Sequence, residues 1–128
     1  MGDWTMTPNI LIVDDSTAIR KILIRVLGQT QLAIGQVFEA RDGLEALDSV
    51  RTNPLNLVLC DINMPNMDGL SFLAELKSSD QWRDLPVVMF TTEGGEQKVA
   101  RAIELGSAAY IRKPFTAEQF QVKIDALL

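Results

Sequence analysis

Four uninterrupted apolar runs of four residues punctuate the chain: Ile10-Leu11-Ile12-Val13, Leu57-Val58-Leu59-Cys60, Val87-Val88-Met89-Phe90 and Ala108-Ala109-Tyr110-Ile111. Short runs with no polar alternation predict strands covered on both faces. The segments between them change period. Ile19, Ile22, Leu23, Val26 and Leu27 keep the i, i+3, i+4, i+7, i+8 spacing of a helix, with Gly28 placed to end it as a C′ glycine. Leu70, Leu73 and Leu76 repeat the spacing after Asp68-Gly69, and Val99 and Ile103 outline a further helix that ends near Gly106. Thr116-Ala117-Glu118-Gln119 reads as a capping box ahead of Phe120, Ile124 and Leu127. A weaker strand, residues 36–40, precedes a short helix carrying Leu44, Leu47 and Val50, which a turn at Asn53-Pro54 closes.

The resulting order is (βα)5. Strands alternating with helices need crossover connections, so the expected fold class is α/β, a doubly wound parallel sheet with helices on both faces. The 128 residues suit one domain, and neither a repeat nor a low-complexity tract interrupts them. Residues 1–7 are expected to form a loose tail and 8–128 a single domain with no output domain attached.

Composition narrows the chemistry. Apolar residues make up 47% and charged residues 23%, a globular balance. Twelve Lys and Arg against seventeen Asp and Glu leave a net charge of −5, which argues against a generic DNA-binding surface. There is no histidine, and Cys60 is the one cysteine. Ser-His-Asp and Cys-His catalysis, Cys/His zinc sites and internal disulfides are therefore excluded. Cys60, inside an apolar run, reads as a buried core residue. No apolar run is long enough for a signal-peptide core or a membrane span, and the chain is expected in the cytoplasm.

In open α/β sheets, ligands gather beyond the carboxyl ends of the strands. Here those ends carry Asp14-Asp15, Asp61, Thr91-Thr92 and Arg112-Lys113-Pro114. Two carboxylates about 4 Å apart repel by about 4 kcal/mol at an effective dielectric near 20, and a divalent cation removes that cost. With oxygen ligands alone, Mg2+ or Mn2+ fits best. A plainer reading is that Asp15 or Ser16 caps the following helix.

The order Val13-Asp14-Asp15-Ser16, then Asp61-Ile62-Asn63-Met64-Pro65-Asn66-Met67-Asp68-Gly69, then Phe90-Thr91-Thr92, then Tyr110-Ile111-Arg112-Lys113-Pro114-Phe115 resembles the signature of two-component response-regulator receiver domains. The resemblance spans essentially the whole chain. Asn63 and Thr91-Thr92-Glu93 look like the single-domain chemotaxis regulators of the CheY type. It implies the flavodoxin-like strand order 2-1-3-4-5. It also implies a phosphorylation switch and not a conventional enzyme, with phosphotransfer and dephosphorylation catalysed by the chain's own residues. Asp61 would accept a phosphoryl group from the phosphohistidine of a histidine kinase. Mg2+ would be held by Asp15 directly, by Asp14 through water, by Asp61 and by the backbone carbonyl of Asn63. Lys113 and Thr91 would contact phosphoryl oxygens, and a cis peptide would precede Pro114.

Thr91 and Tyr110 would form the switch, helped by a pliable Gly94-Gly95 loop, with output on the α4-β5-α5 face. Asn63, Thr92 and Glu93 would tune dephosphorylation at the mouth of the site. The implied partners are a histidine kinase, a downstream protein target of which the flagellar motor switch is one candidate, and a phosphatase. The chain is expected to be a monomer, without DNA or membrane. A relay shuttle or phosphate sink would share the same rim chemistry. A haloacid-dehalogenase-like phosphatase expects Asp-x-Asp where this chain has Asp14-Asp15-Ser16, and a flavodoxin-like cofactor carrier expects a Ser/Thr/Gly phosphate loop. The chain departs from the CheY pattern at Ile62, where Trp is common, and at Thr92, which is bulkier than usual. Trp4 and Trp82 are assigned no role.

Overall fold

The computed structural model describes residues 7–91, 96–113 and 115–127, with the side chains of Thr91 and Glu96 outside the description. Five strands and five helices alternate: β1 (Ile10–Val13), α1 (Thr17–Gln29), β2 (Val37–Ala40), α2 (Gly43–Thr52), β3 (Leu57–Asp61), α3 (Gly69–Lys77), β4 (Val87–Thr91), α4 (Glu96–Leu105), β5 (Ala109–Arg112) and α5 (Ala117–Asp125). The strands form one parallel sheet in the order β2-β1-β3-β4-β5. This is the expected doubly wound fold.

The unbroken apolar runs follow from that arrangement. On one face of the sheet, Leu11, Val13, Val58, Cys60, Val87 and Met89 pack with Ala46 and Val50 of α2, Phe72, Leu73 and Leu76 of α3, and Ala102 of α4. On the other face, Ile10, Ile12, Leu57, Leu59, Val88 and Phe90 meet Leu23 and Leu27 of α1 and Phe120 and Ile124 of α5. Alternate side chains on a strand point to opposite faces. Covering both faces therefore demands that both alternations be apolar, and burying a large aliphatic side chain contributes about 1.5–3 kcal/mol.

Among the described residues, four helices start on side-chain caps: Ser16 for α1, Asp42 for α2, Asp68 for α3 and Thr116, with Gln119, as a reciprocal capping box for α5. The Thr116 box was expected from the sequence, and of Asp15 and Ser16 it is Ser16 that caps α1. Gly28 does not end α1, contrary to the sequence expectation. The helix runs to Gln29 and stops at Thr30, whose hydroxyl donates to the Leu27 carbonyl at 2.7 Å. The same carbonyl also accepts the Thr30 backbone N–H at 3.2 Å, so one threonine satisfies the helix end twice and no C′ glycine is needed. Trp82 is half-buried, packed against the core between α3 and β4.

Candidate functional site

Asp14 directly follows β1, and Asp61 is the last residue of β3, its neighbour in the sheet. Parallel pairing brings both to the same rim. Asp14 is 3% exposed, and its Oδ1 accepts the Ser16 backbone N–H at 2.9 Å. Asp61 is partly buried, and its Oδ1 accepts the Ile62 N–H at 2.9 Å. Asp15 is exposed beside them, and carboxylate oxygens of Asp14, Asp15 and Asp61 lie within 4.8 Å of one another.

Lys113, just past β5, reaches this cluster from the far side. Its Nζ lies 3.5 Å from Asp14 Oδ2 and 3.7 Å from Asp61 Oδ1, with its charge 5.9 Å from the centre of the Phe90 ring. Burial raises the Asp61 carboxyl above its ordinary value. Lys113 opposes that shift, Asp14 adds to it, the Ile62 N–H opposes it, and Asp15 adds to it. Three acids facing one ammonium leave a local excess of negative charge. Oxygen donors in such a cluster fit a hard divalent cation, with room for water and phosphate oxygens in the remaining positions.

Two close approaches position Asp61 and the loop after it. The Gly69 N–H donates to the Ile62 carbonyl at 2.8 Å, and a Cβ on Gly69 would sit 2.1 Å from the Asp61 carbonyl oxygen. Only glycine lets α3 begin this near the strand end. Gly43, at the start of α2, likewise donates to the Met67 carbonyl at 2.9 Å, where a Cβ would come within 2.5 Å of Met67 Cγ. Met67 packs onto the core, as the sequence suggested.

Asn63 is exposed in the loop after β3, and its Oδ1 accepts a hydrogen bond from Lys98 of α4. Tyr110 lies on β5, with 36% of its surface exposed and Lys123 Nζ 5.5 Å above its ring. It borders a groove of about 420 Å³ between β5 and α5. A larger groove, about 450 Å³, lies at the amino ends of β3 and β4, lined by Asn53, Trp82 and Pro86 among others, and holds none of the three clustered acids. Thr92, Glu93, Gly94, Gly95 and Pro114 lie outside the described residues, as does the side chain of Thr91. Cys60 is fully buried, and burial pushes its thiol well above the usual range, which keeps it protonated.

Sequence reasoning missed Arg20, Glu39 and Lys98. Arg20 is 7% exposed; its Nη1 donates to the Asp14 carbonyl at 2.6 Å and its Nε to Glu39 Oε1 at 2.8 Å. A basic residue six positions past Asp14, on the helix side that turns inward, was the available signal.

The model of the response regulator receiver domain matches residues 10–125. The chain belongs to the response-regulator receiver family. It is 37% identical over 120 residues to a chemotaxis protein CheY homolog of Campylobacter jejuni, covering 93% of this chain and 91% of that protein. It is 35% identical over 120 residues to the chemotaxis protein CheY1 of Helicobacter pylori, covering 93% and 95%. Among solved structures, the chemotaxis response regulator CheY4 of Vibrio cholerae superposes with a TM-score of 0.84 at 29% identity, covering 96% of this chain and 100% of that one. The receiver domain of NtrX from Brucella abortus gives 0.83 at 31% identity, covering 93% and 97%. The chain is thus a receiver of CheY type, and receivers are phosphoacceptor signalling domains and not conventional enzymes. Among the described residues, no helix of this receiver is long and apolar enough to cross a membrane.

Proposed function

We propose that this receiver takes a phosphoryl group from a phosphohistidine of a histidine kinase onto Asp61 and signals through the α4-β5-α5 face, in chemotaxis. The observation that supports this most is the position of Asp61, at the carboxyl end of the central strand with Lys113 Nζ 3.7 Å away and two further acids beside it. An Asp61 oxygen attacks phosphorus, the donor's N–P bond breaks, and the electron pair stays on the imidazole nitrogen. The donor histidine lies outside these 128 residues, which contain none.

Lys113 pairs with a phosphoryl oxygen as a point charge, and the Thr91 hydroxyl donates to another. Asp14, Asp15, Asp61 and the backbone carbonyl of Asn63 would hold Mg2+, with Mn2+ able to substitute. When bound, the cation neutralises charge on the phosphoryl oxygens. Residues 8–128 act as the receiver unit. Thr91 and Tyr110 couple the site to the output face by biasing an equilibrium between two states of the receiver. The names of the Campylobacter and Helicobacter relatives, both chemotaxis proteins, support a chemotaxis output. In that reading a flagellar motor component is the target and a phosphatase a further partner.

Incubation with acetyl phosphate and Mg2+, read by intact mass, tests the chemistry. One phosphoryl adduct is expected on the wild type and none on Asp61→Ala. An adduct at the same site in Asp61→Ala would overturn the assignment.

A further inference from the structure

Asn63 stands two residues beyond Asp61, exposed in the loop between β3 and α3, and Lys98 stands exposed in the first turn of α4. The Lys98 ammonium donates a hydrogen bond to Asn63 Oδ1 and so joins α4 to the loop that follows the acceptor, across 35 residues of sequence. No helix or sheet register requires this contact.

Its consequence rests on the phosphoacceptor reading above. Hydrolysis of an Asp61 acyl phosphate needs a water oxygen to attack phosphorus. The bond from phosphorus to the Asp61 oxygen breaks with its electron pair returning to the carboxylate, the water's proton passes to solvent, and inorganic phosphate leaves. A water is aimed for that attack when a fixed acceptor takes one of its hydrogens, turning a lone pair toward phosphorus. The amide oxygen of Asn63 is an acceptor at this rim. An amide oxygen already engaged by an ammonium has its electron density drawn toward that charge and is a weaker acceptor for water.

We propose that Lys98 prolongs the life of the phosphoryl group on Asp61 by engaging the Asn63 amide oxygen. Lys98 is a positioning residue: it acts through Asn63 and does not touch the reacting atoms. The same bond makes the lifetime sensitive to the position of α4, since a partner that shifts the first turn of α4 would release Asn63.

The test phosphorylates the wild type, Lys98→Met, Lys98→Arg, Asn63→Ala and the Lys98→Met/Asn63→Ala double variant with acetyl phosphate, removes the donor, and follows phosphoryl loss by intact mass. Loss from Lys98→Met should be roughly three- to tenfold faster than from the wild type, the effect of freeing one charge-assisted hydrogen bond. Lys98→Arg should stay near the wild type, because a guanidinium also donates. In the Asn63→Ala background, Lys98→Met should change nothing. Equal rates for Lys98→Met and the wild type would overturn the proposal. The same acceleration in both backgrounds would overturn it too, since Lys98 would then act by charge alone. Absence of any adduct on the wild type would overturn the phosphoacceptor reading itself and this inference with it.

Discussion

The side-chain amide of Asn66 donates to Asp42 Oδ2 at 2.7 Å, tying the loop that follows Asp61 to the first turn of α2. Asn66 adopts φ 66°, a left-handed conformation that Asn tolerates better than most residues. The other Asp42 oxygen accepts the Glu45 N–H at 2.9 Å as the helix cap. One nearly buried carboxylate therefore holds both a helix start and the loop beside the acceptor.

These bonds lower the Asp42 carboxyl below its ordinary value, the Glu45 N–H most and Asn66 next. A carboxyl depressed in the folded state stabilises the fold fully above its unfolded value, about 3.9, and that contribution is lost as pH falls through the lower folded value. Asp42→Asn places one amide against another at Asn66. It should cost about 1 kcal/mol at neutral pH, on the scale of a lost cap. The gap in urea stability between wild type and variant should narrow when unfolding is repeated near pH ~3. An equal gap at both pH values would show that the Asp42 charge is not what holds the loop.

Gly69 offers a second check, because its absent Cβ is what lets α3 start beside Asp61. Gly69→Ala would force a methyl to 2.1 Å from the Asp61 carbonyl oxygen, a backbone atom that moves only with the strand end. The expected loss is about 1–3 kcal/mol in urea unfolding, together with slower phosphoryl uptake from acetyl phosphate as Asp61 is displaced. Gly28→Ala is the control, since a Cβ there meets nothing within 4 Å. Gly28 lies inside α1, so the change should hold or raise stability, by up to about 1 kcal/mol.

Lys113 competes for the carboxylates that a divalent cation would use, at 3.5 Å from Asp14 and 3.7 Å from Asp61. Removing its charge lifts a repulsion against the incoming ion. Lys113→Met should therefore bind Mg2+ about tenfold more tightly in calorimetric titration, while uptake of the phosphoryl group falls for want of the ammonium. Unchanged or weaker Mg2+ affinity would mean that Lys113 does not oppose the ion.

What the sequence made legible depended on whether one segment carried the whole signal. The buried strands were legible because both faces are covered, so Leu57-Val58-Leu59-Cys60 is apolar without a break. Asp14, Asp15 and Asp61 were legible because each follows such a run and parallel pairing must gather strand ends at one rim. Gly28 misled because α1 ends on Thr30, whose backbone N–H and hydroxyl both reach the Leu27 carbonyl, and not on a glycine's backbone freedom. Lys98 and Asn63, or Arg20 and Glu39, meet only after crossover helices have brought distant segments together. Nothing local in the sequence reports that proximity.

Arg20 carries the last prediction. Its guanidinium enters from α1 with 8% of its side chain exposed, donates to the Asp14 backbone carbonyl, and pairs with Glu39 on the edge strand β2, whose side chain is 38% exposed. The two partners differ in what they lose without it. Glu39 can turn to water, so its release costs little. The Asp14 carbonyl faces the interior and would be left without this donor, a penalty of about 1–3 kcal/mol. Arg20→Met keeps most of the buried aliphatic length while deleting the donor, so it should lower stability by that amount, whereas Glu39→Gln should change it by less than about 1 kcal/mol. Because that carbonyl belongs to a residue of the acid cluster, freeing it lets the Asp14 backbone wander. Arg20→Met should then weaken Mg2+ binding several-fold, with Glu39→Gln nearly unaffected. Stability and Mg2+ titration measured on both variants separate the two roles. Equal losses in the two would place the worth of Arg20 in its ion pair with Glu39 and not in its grip on Asp14.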